Sequence, residues 1–290
     1  MAEIKVASEE DFKLLQEIQE KVMVRIHLGF NPEVLEVLDN ENSTHAQIES
    51  LKDLLGEEIV IRLFGIGNSI YYGRIRAGKI SNFFDIVLRL GMEPTKVYII
   101  CLSQFFIRPD KELLNLAARS FITSILGRML AKQLGMKDEE IRKVELGGLF
   151  LEIGKVFILL YNRQEKKELS EAFISKYYPF LGLKMVEKFE LPEFLGEILS
   201  SPSLDFEENR LSLPGIVHLV HSIVETHFKE NGRLVIRSPM PDADGVVIST
   251  YGSVMRKQLE AVGLENFLEI IPILTPQQQL YQEKVKSSSG

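Results

Sequence analysis

The side chains equipped for chemistry are few in these 290 residues, and they are spread thinly. His218 and His221 stand three apart, on one face if the segment is helical, and His227 follows within two turns. Two imidazoles at that spacing could begin a metal site. A catalytic centre commonly takes three protein ligands, however, and no third lies near in sequence. A partly exposed histidine cluster is the simpler reading, and His27 and His45 sit in separate segments. The lone Cys101 lies in the apolar run 97–102, where a thiolate is disfavoured, and one cysteine supports neither a disulfide framework nor a cysteine zinc site. No Gly-x-Ser-x-Gly elbow presents a nucleophilic serine. Gly65-Ile-Gly67 with Gly73 has the spacing of neither dinucleotide nor Walker loops, and reads as a structural turn. Asp242-Ala-Asp244-Gly245 begins like a calcium loop, but its glycine comes two positions early, so it too reads as a turn. Arg74, Arg76 and Lys79 after Tyr71-Tyr72 form a basic-aromatic patch, for which a solvated loop is favoured over a phosphate site.

Helices must position whatever these residues do. Leu113, Ala117, Phe121, Ile125 and Met129 recur every fourth residue, and Leu114, Ile122 and Leu130 widen the stripe into a core-facing helix. Pro109-Asp110 starts it and Gly135 stops it. A second helix is expected to open on Asp138-Glu139-Glu140 and run through Leu149 towards Tyr161. Upstream, Ser8-Glu9-Glu10-Asp11 resembles a capping box leading a long helix to about His27. Shorter helices are expected over 32–38, 44–55, 57–64, 80–90 and 97–106, then over 169–178, 183–189, 192–199 and 214–228. After Asn231-Gly232 the β-branched runs at Leu234 and Val246, a helix near 253–262 and a strand-like 268–271 suggest a small α/β appendage. Its wording is similar to the closing segments of STAS-type regulatory domains. The expected fold is therefore mainly α: an irregular multi-helix globule with strands only after residue 231. The expected parts are an N-terminal helical part over 1–56, a helical core over 57–230, the appendage over 231–276 and a frayed tail over 277–290.

Composition narrows the function classes. With 45% hydrophobic and 26% charged residues the chain is globular in type, and its net charge of −7 speaks against nucleic-acid binding by bulk charge. No apolar run approaches the roughly 18 residues of a membrane span. The nearest, 146–161, carries Glu152 and Lys155. Met1-Ala2-Glu3-Ile4-Lys5 does not read as a signal peptide, so a soluble, cytoplasmic protein is expected.

Residues 57–222 resemble the HDOD family, the non-hydrolytic relatives of HD-type metal phosphohydrolases. The resemblance rests on ordered pieces: Leu63 to Gly73 with its Asn68-Ser69-Ile-Tyr71-Tyr72-Gly73 loop, Ile80-Ser81, Ile86 to Gly91, Ser120 to Gly135, Gly148 to Lys155, and Leu191-Pro192. The parent enzymes hold a cation with a His, a His-Asp pair and a distant Asp, and that cation activates water. On that pattern Arg119 falls at the first His, Leu151-Glu152 at the pair, His221 near the last Asp, and Ser200-Ser201 near an additional His pair. The resemblance thus implies a degenerate pocket of Arg119, Leu151, Glu152 and His221 with no catalytic residue, metal or cofactor. Arg119 is expected to lie against Glu152 in the metal's place, with His221 nearby. The implied function is a non-catalytic regulatory module of bacterial signalling type that acts on a protein partner. The alternative is a divergent HD-type phosphohydrolase, or a sensor whose degenerate metal site still takes a small nucleotide.

Overall fold

The computed structural model describes residues 8–23, 30–69, 80–106, 110–201, 206–207, 210–239 and 251–273. Helix α1 (Glu9–Ile18) is capped by the Ser8 hydroxyl, which accepts from the Asp11 N–H, and it widens into a π-helical turn at Gln19–Met23. His27, where that helix was expected to end, lies outside the described residues. Helices α2 (Glu33–Asp39), α3 (His45–Leu54) and α4 (Glu57–Asn68) follow. A reciprocal Thr44–Gln47 capping box opens α3, so two otherwise unpaired donors at its start are satisfied.

Gly65 and Gly67 lie within α4, which corrects the expected turn there. A Cβ on Gly65 would run into the Ala261 carbonyl, so glycine lets α4 approach the appendage closely. Asn68 at the end of α4 accepts from the Ile80 N–H at 2.8 Å, a bond across twelve residues rather than the local one a turn would make. Tyr71, Tyr72 and Gly73 of the family loop, and the Arg74, Arg76 and Lys79 patch, lie outside the described residues, as do Asp242 to Gly245.

Helix α5 (Phe83–Leu90) starts later than residue 80, because the Asn82 side chain caps the Asp85 N–H. Helix α6 (Met92–Phe106) is buried along almost its whole length and carries the fully buried Cys101. The long α7 (Lys111–Gln133), capped by Asp110, packs most extensively on α8 (Asp138–Phe150). The chain does not continue as one helix towards Tyr161. It breaks at Leu151-Glu152 and restarts as α9 (Ile153–Glu165).

Two further segments, expected as separate helices, are one: α10 (Glu171–Lys188) runs through Pro179. An interior proline costs about 3 kcal/mol of helix propensity. The buried Phe173, Tyr177, Leu181, Gly182 and Met185 on either side outweigh it. Helices α11 (Glu193–Ser200) and α12 (Leu213–Asn231) complete the helical part. Between them Phe206–Glu207 (β1) and Arg210–Leu211 (β2) form a two-residue antiparallel ladder, which corrects the expectation of strands only after residue 231.

The appendage is a parallel β-α-β unit. Strand β3 (Leu234–Pro239) pairs in register with β4 (Leu268–Ile273) across α13 (Tyr251–Glu260), so that Leu234 faces Leu268. The run at Val246 lies outside the described residues. One core of buried apolar side chains extends from Leu15 in α1 to Leu268 in β4. Among the described residues no helix is long and apolar enough to cross a membrane.

Candidate functional site

Glu152 stands in the break between α8 and α9, with φ −92° and ψ 7°. The break follows from how tightly the flanking helices pack. A Cβ on Gly148 would stand 2.9 Å from the Ser124 Cα of α7, and one on Gly154 would run into the Tyr178 carbonyl of α10. Glycines therefore let two neighbours close in, and the two-residue turn drives the Glu152 carboxylate into the interior, where its side chain is 1% exposed.

A buried carboxylate needs partners. Arg119 on α7 supplies a planar fork, donating from Nε to Oε2 at 3.1 Å and from Nη2 to Oε1 at 3.0 Å. Lys155, one turn into α9, donates to Oε1 at 2.5 Å and lies 3.7 Å from Glu225 Oε1 on α12. His221 Nε2, also on α12, lies 3.2 Å from Glu152 Oε1, a close electrostatic contact without hydrogen-bond alignment. The Lys155 ammonium also sits 4.7 Å from the Tyr178 ring centroid. Burial pushes the Glu152 carboxyl up, but His221, Lys155 and Arg119 together outweigh it and hold the group well below the usual carboxylate range. Glu225 is also held low: Lys155, His221 and Lys229 outweigh its burial and the repulsion of Glu152. Burial, then the charges of Glu152 and Glu225, push the Tyr178 hydroxyl up.

The structure thus brings Arg119, Glu152 and His221 together. Leu151 is buried beside them and offers no donor atom. Ser200 and Ser201 turn back on their own helix, donating to the Gly196 and Glu197 carbonyls. The three histidines do not converge: His218 Nε2 meets the Ile198 carbonyl at 2.9 Å, and burial lowers the basicity of that ring. Sequence reading missed Lys155, Glu225 and Tyr178. The first two carried a signal, since Lys155 is three residues from Glu152 and Glu225 four from His221, helical neighbours in each case. Tyr178 carried none.

The donor set fits a hydrolytic metal poorly. The carboxylate is already engaged by two cations, Leu151 cannot ligate, and Arg119 and Lys155 would repel a divalent ion placed there. Among the described residues no three His, Cys, Asp or Glu side chains are placed to share a metal.

The interleaved helices and this central charged pocket define an HD-like helical protein. The pattern that characterises the HDOD domain matches residues 30–194, more than half the chain, and the chain belongs to that family. The matched segment starts upstream of residue 57, inside the part expected to be an N-terminal addition. Among solved structures, the chain is similar to a "Putative metal-dependent phosphohydrolase" from Shewanella amazonensis SB2B. The TM-score is 0.54 at 14% identity, covering 93% of this chain and 91% of the other. A "Putative phosphohydrolase" from the same organism aligns with TM-score 0.49 and 19% identity, over 87% of this chain and 96% of that one. An HDOD domain protein with unknown function from Geobacter sulfurreducens aligns with TM-score 0.49 and 16% identity, over 87% and 89%. No curated protein matches the chain.

Proposed function

We propose that this chain is a non-catalytic regulatory module of HDOD type, acting in the cytoplasm through contacts with a protein partner in a signalling pathway. The observation that carries the reading is the Arg119–Glu152–Lys155 arrangement. It occupies with fixed cations the place where a hydrolase would need open ligands for a mobile one. A carboxylate already held by Arg119 and Lys155 is a poor ligand for a further cation that would activate water. What remains is a helical surface, which suits binding to a partner.

The test is metal analysis of the purified chain beside a hydrolysis panel of nucleotides and phosphoesters in added Mn²⁺, Mg²⁺ or Fe²⁺. The expected result is metal well below one equivalent, no metal-dependent turnover, and a defined protein that co-purifies stoichiometrically from the native cell. Metal-dependent hydrolysis that is lost in Glu152→Gln would overturn the reading in favour of the divergent enzyme.

A further inference from the structure

Beside the charged centre a cleft of about 350 Å³ opens between α7, α9, α10 and α12. Its size lies at the small end of ligand sites, room for a small metabolite rather than a large cofactor. Leu116, Ile158, Leu159 and Ile174 supply an apolar wall, and Arg119, Lys155, Glu225 and Lys229 supply charge.

The pairing of those charges leaves one donor group unused. Arg119 spends Nε and Nη2 on Glu152, and among the described residues its Nη1 has no hydrogen-bond partner. The side chain is 21% exposed, so this second edge of the fork is open to the cleft it lines. Lys229 Nζ stands 3.5 Å from Glu225 Oε1 on an exposed side chain at the edge of the cleft it lines. Three cations, Arg119, Lys155 and Lys229, stand around the two carboxylates Glu152 and Glu225 on this floor. Glu112 and Glu171 also line the cleft, so its lining carries as many acids as bases. A second negative charge on a ligand would meet their repulsion.

We propose that this cleft is a binding site for a small monocarboxylate with an apolar body. The carboxylate takes the free Nη1 edge of Arg119 and the Lys229 ammonium, and the hydrocarbon part lies against Leu116, Ile158, Leu159 and Ile174. The same charge count disfavours nucleotides, whose phosphates bring more negative charge than the floor can balance. The site adds an input to the regulatory module proposed above and stands without it, because ligand binding is measured on the chain alone.

The test is saturation-transfer NMR and titration calorimetry on the full chain, with hexanoate and benzoate as probes and AMP as the competing chemistry. Both carboxylates are expected to receive saturation and AMP to receive none. Lys229→Ala should weaken binding about fivefold, the size of one partly exposed ion pair, and Lys229→Glu should weaken it further. Ile174→Trp, which fills the cleft without touching a charge, should abolish it. Lys229 is exposed, so its variants keep the test sound should the tryptophan disturb folding. No transfer to either carboxylate, unchanged affinity in Lys229→Glu, or preferential binding of AMP would each overturn the proposal. None of these outcomes bears on whether the chain hydrolyses phosphoesters.

Discussion

Glu152 is surrounded unequally, and that inequality orders the effects of single substitutions. Arg119→Leu removes two charge-assisted hydrogen bonds but leaves the carboxylate with Lys155 and His221. The loss of a partner to a charged group then sets the scale, about 1.5–3 kcal/mol. Glu152→Leu strands two cations in one site and should cost more, about 3–5 kcal/mol. Urea denaturation of the two variants measures the order, and the reverse order would show that Arg119 alone sustains the site.

The same group sets a pH dependence. Its folded pKa lies below the unfolded value of 4.5, so its contribution is fully present above that value and is lost as pH falls further. Melting temperatures between pH 6 and pH 3 should therefore drop more steeply for the wild type than for Glu152→Gln; parallel curves would remove Glu152 as the cause. Cys101 behaves oppositely, because burial pushes its thiol up and closes it off. It should resist a thiol-reactive dye in the native state and react fully in denaturant.

At the scale of elements, helix spacing decides what a glycine is for. The backbones of α9 and α10 approach so closely at Gly154 that alanine has no room, and Gly154→Ala should cost about 1–3 kcal/mol through overpacking. Gly196 lies inside α11 with only Leu183 Cδ2 near, at 3.6 Å from where a Cβ would stand, an ordinary contact distance. There alanine removes backbone freedom from the unfolded chain, so Gly196→Ala should stabilise by about 0.5–1 kcal/mol. Chemical denaturation of the pair checks both signs at once. The contrast matters for the candidate site, because the approach at Gly154 borders the turn that turns Glu152 inward.

At the scale of the molecule, the appendage is tied into the helical part at several points. Arg128 on α7 donates to Gln258 on α13 at 2.8 Å and to Glu145 on α8 at 3.0 Å, both from a buried position. Arg62 on α4 reaches the Val262 carbonyl, and the rings of Phe228 and Phe267 stack 6.2 Å apart. Leu234, Met255, Leu259, Val262, Leu264 and Leu268 belong to the same buried cluster as the helices. The full chain should therefore unfold in one cooperative thermal transition, and a chain ended at Gly232 should melt well below it or fail to remain soluble. Two separated transitions, or an unchanged melting point on truncation, would make the appendage an independent unit.

The helical class, most helix starts and the meeting of Arg119 with Glu152 were all legible in the chain. Each follows from patterns that are local or carried by ordered motifs: the four-residue stripe from Leu113, the starts at Ser8 and Asp110, and the position at which the resemblance sets Arg119, that of a ligand in the parent enzymes. The break at Leu151-Glu152 was not legible, because Gly147-Gly148 and Gly154 suit either a continuous helix or close packing, and only the neighbours at Ser124 and Tyr178 choose between them. Nor was the continuity of α10 through Pro179, where burial on both sides outweighs a local penalty. Lys155, Glu225 and Tyr178 joined the site for the same reason. A sequence records what each residue prefers among its near neighbours, whereas the partners of a buried charge are set by which helices the core brings together.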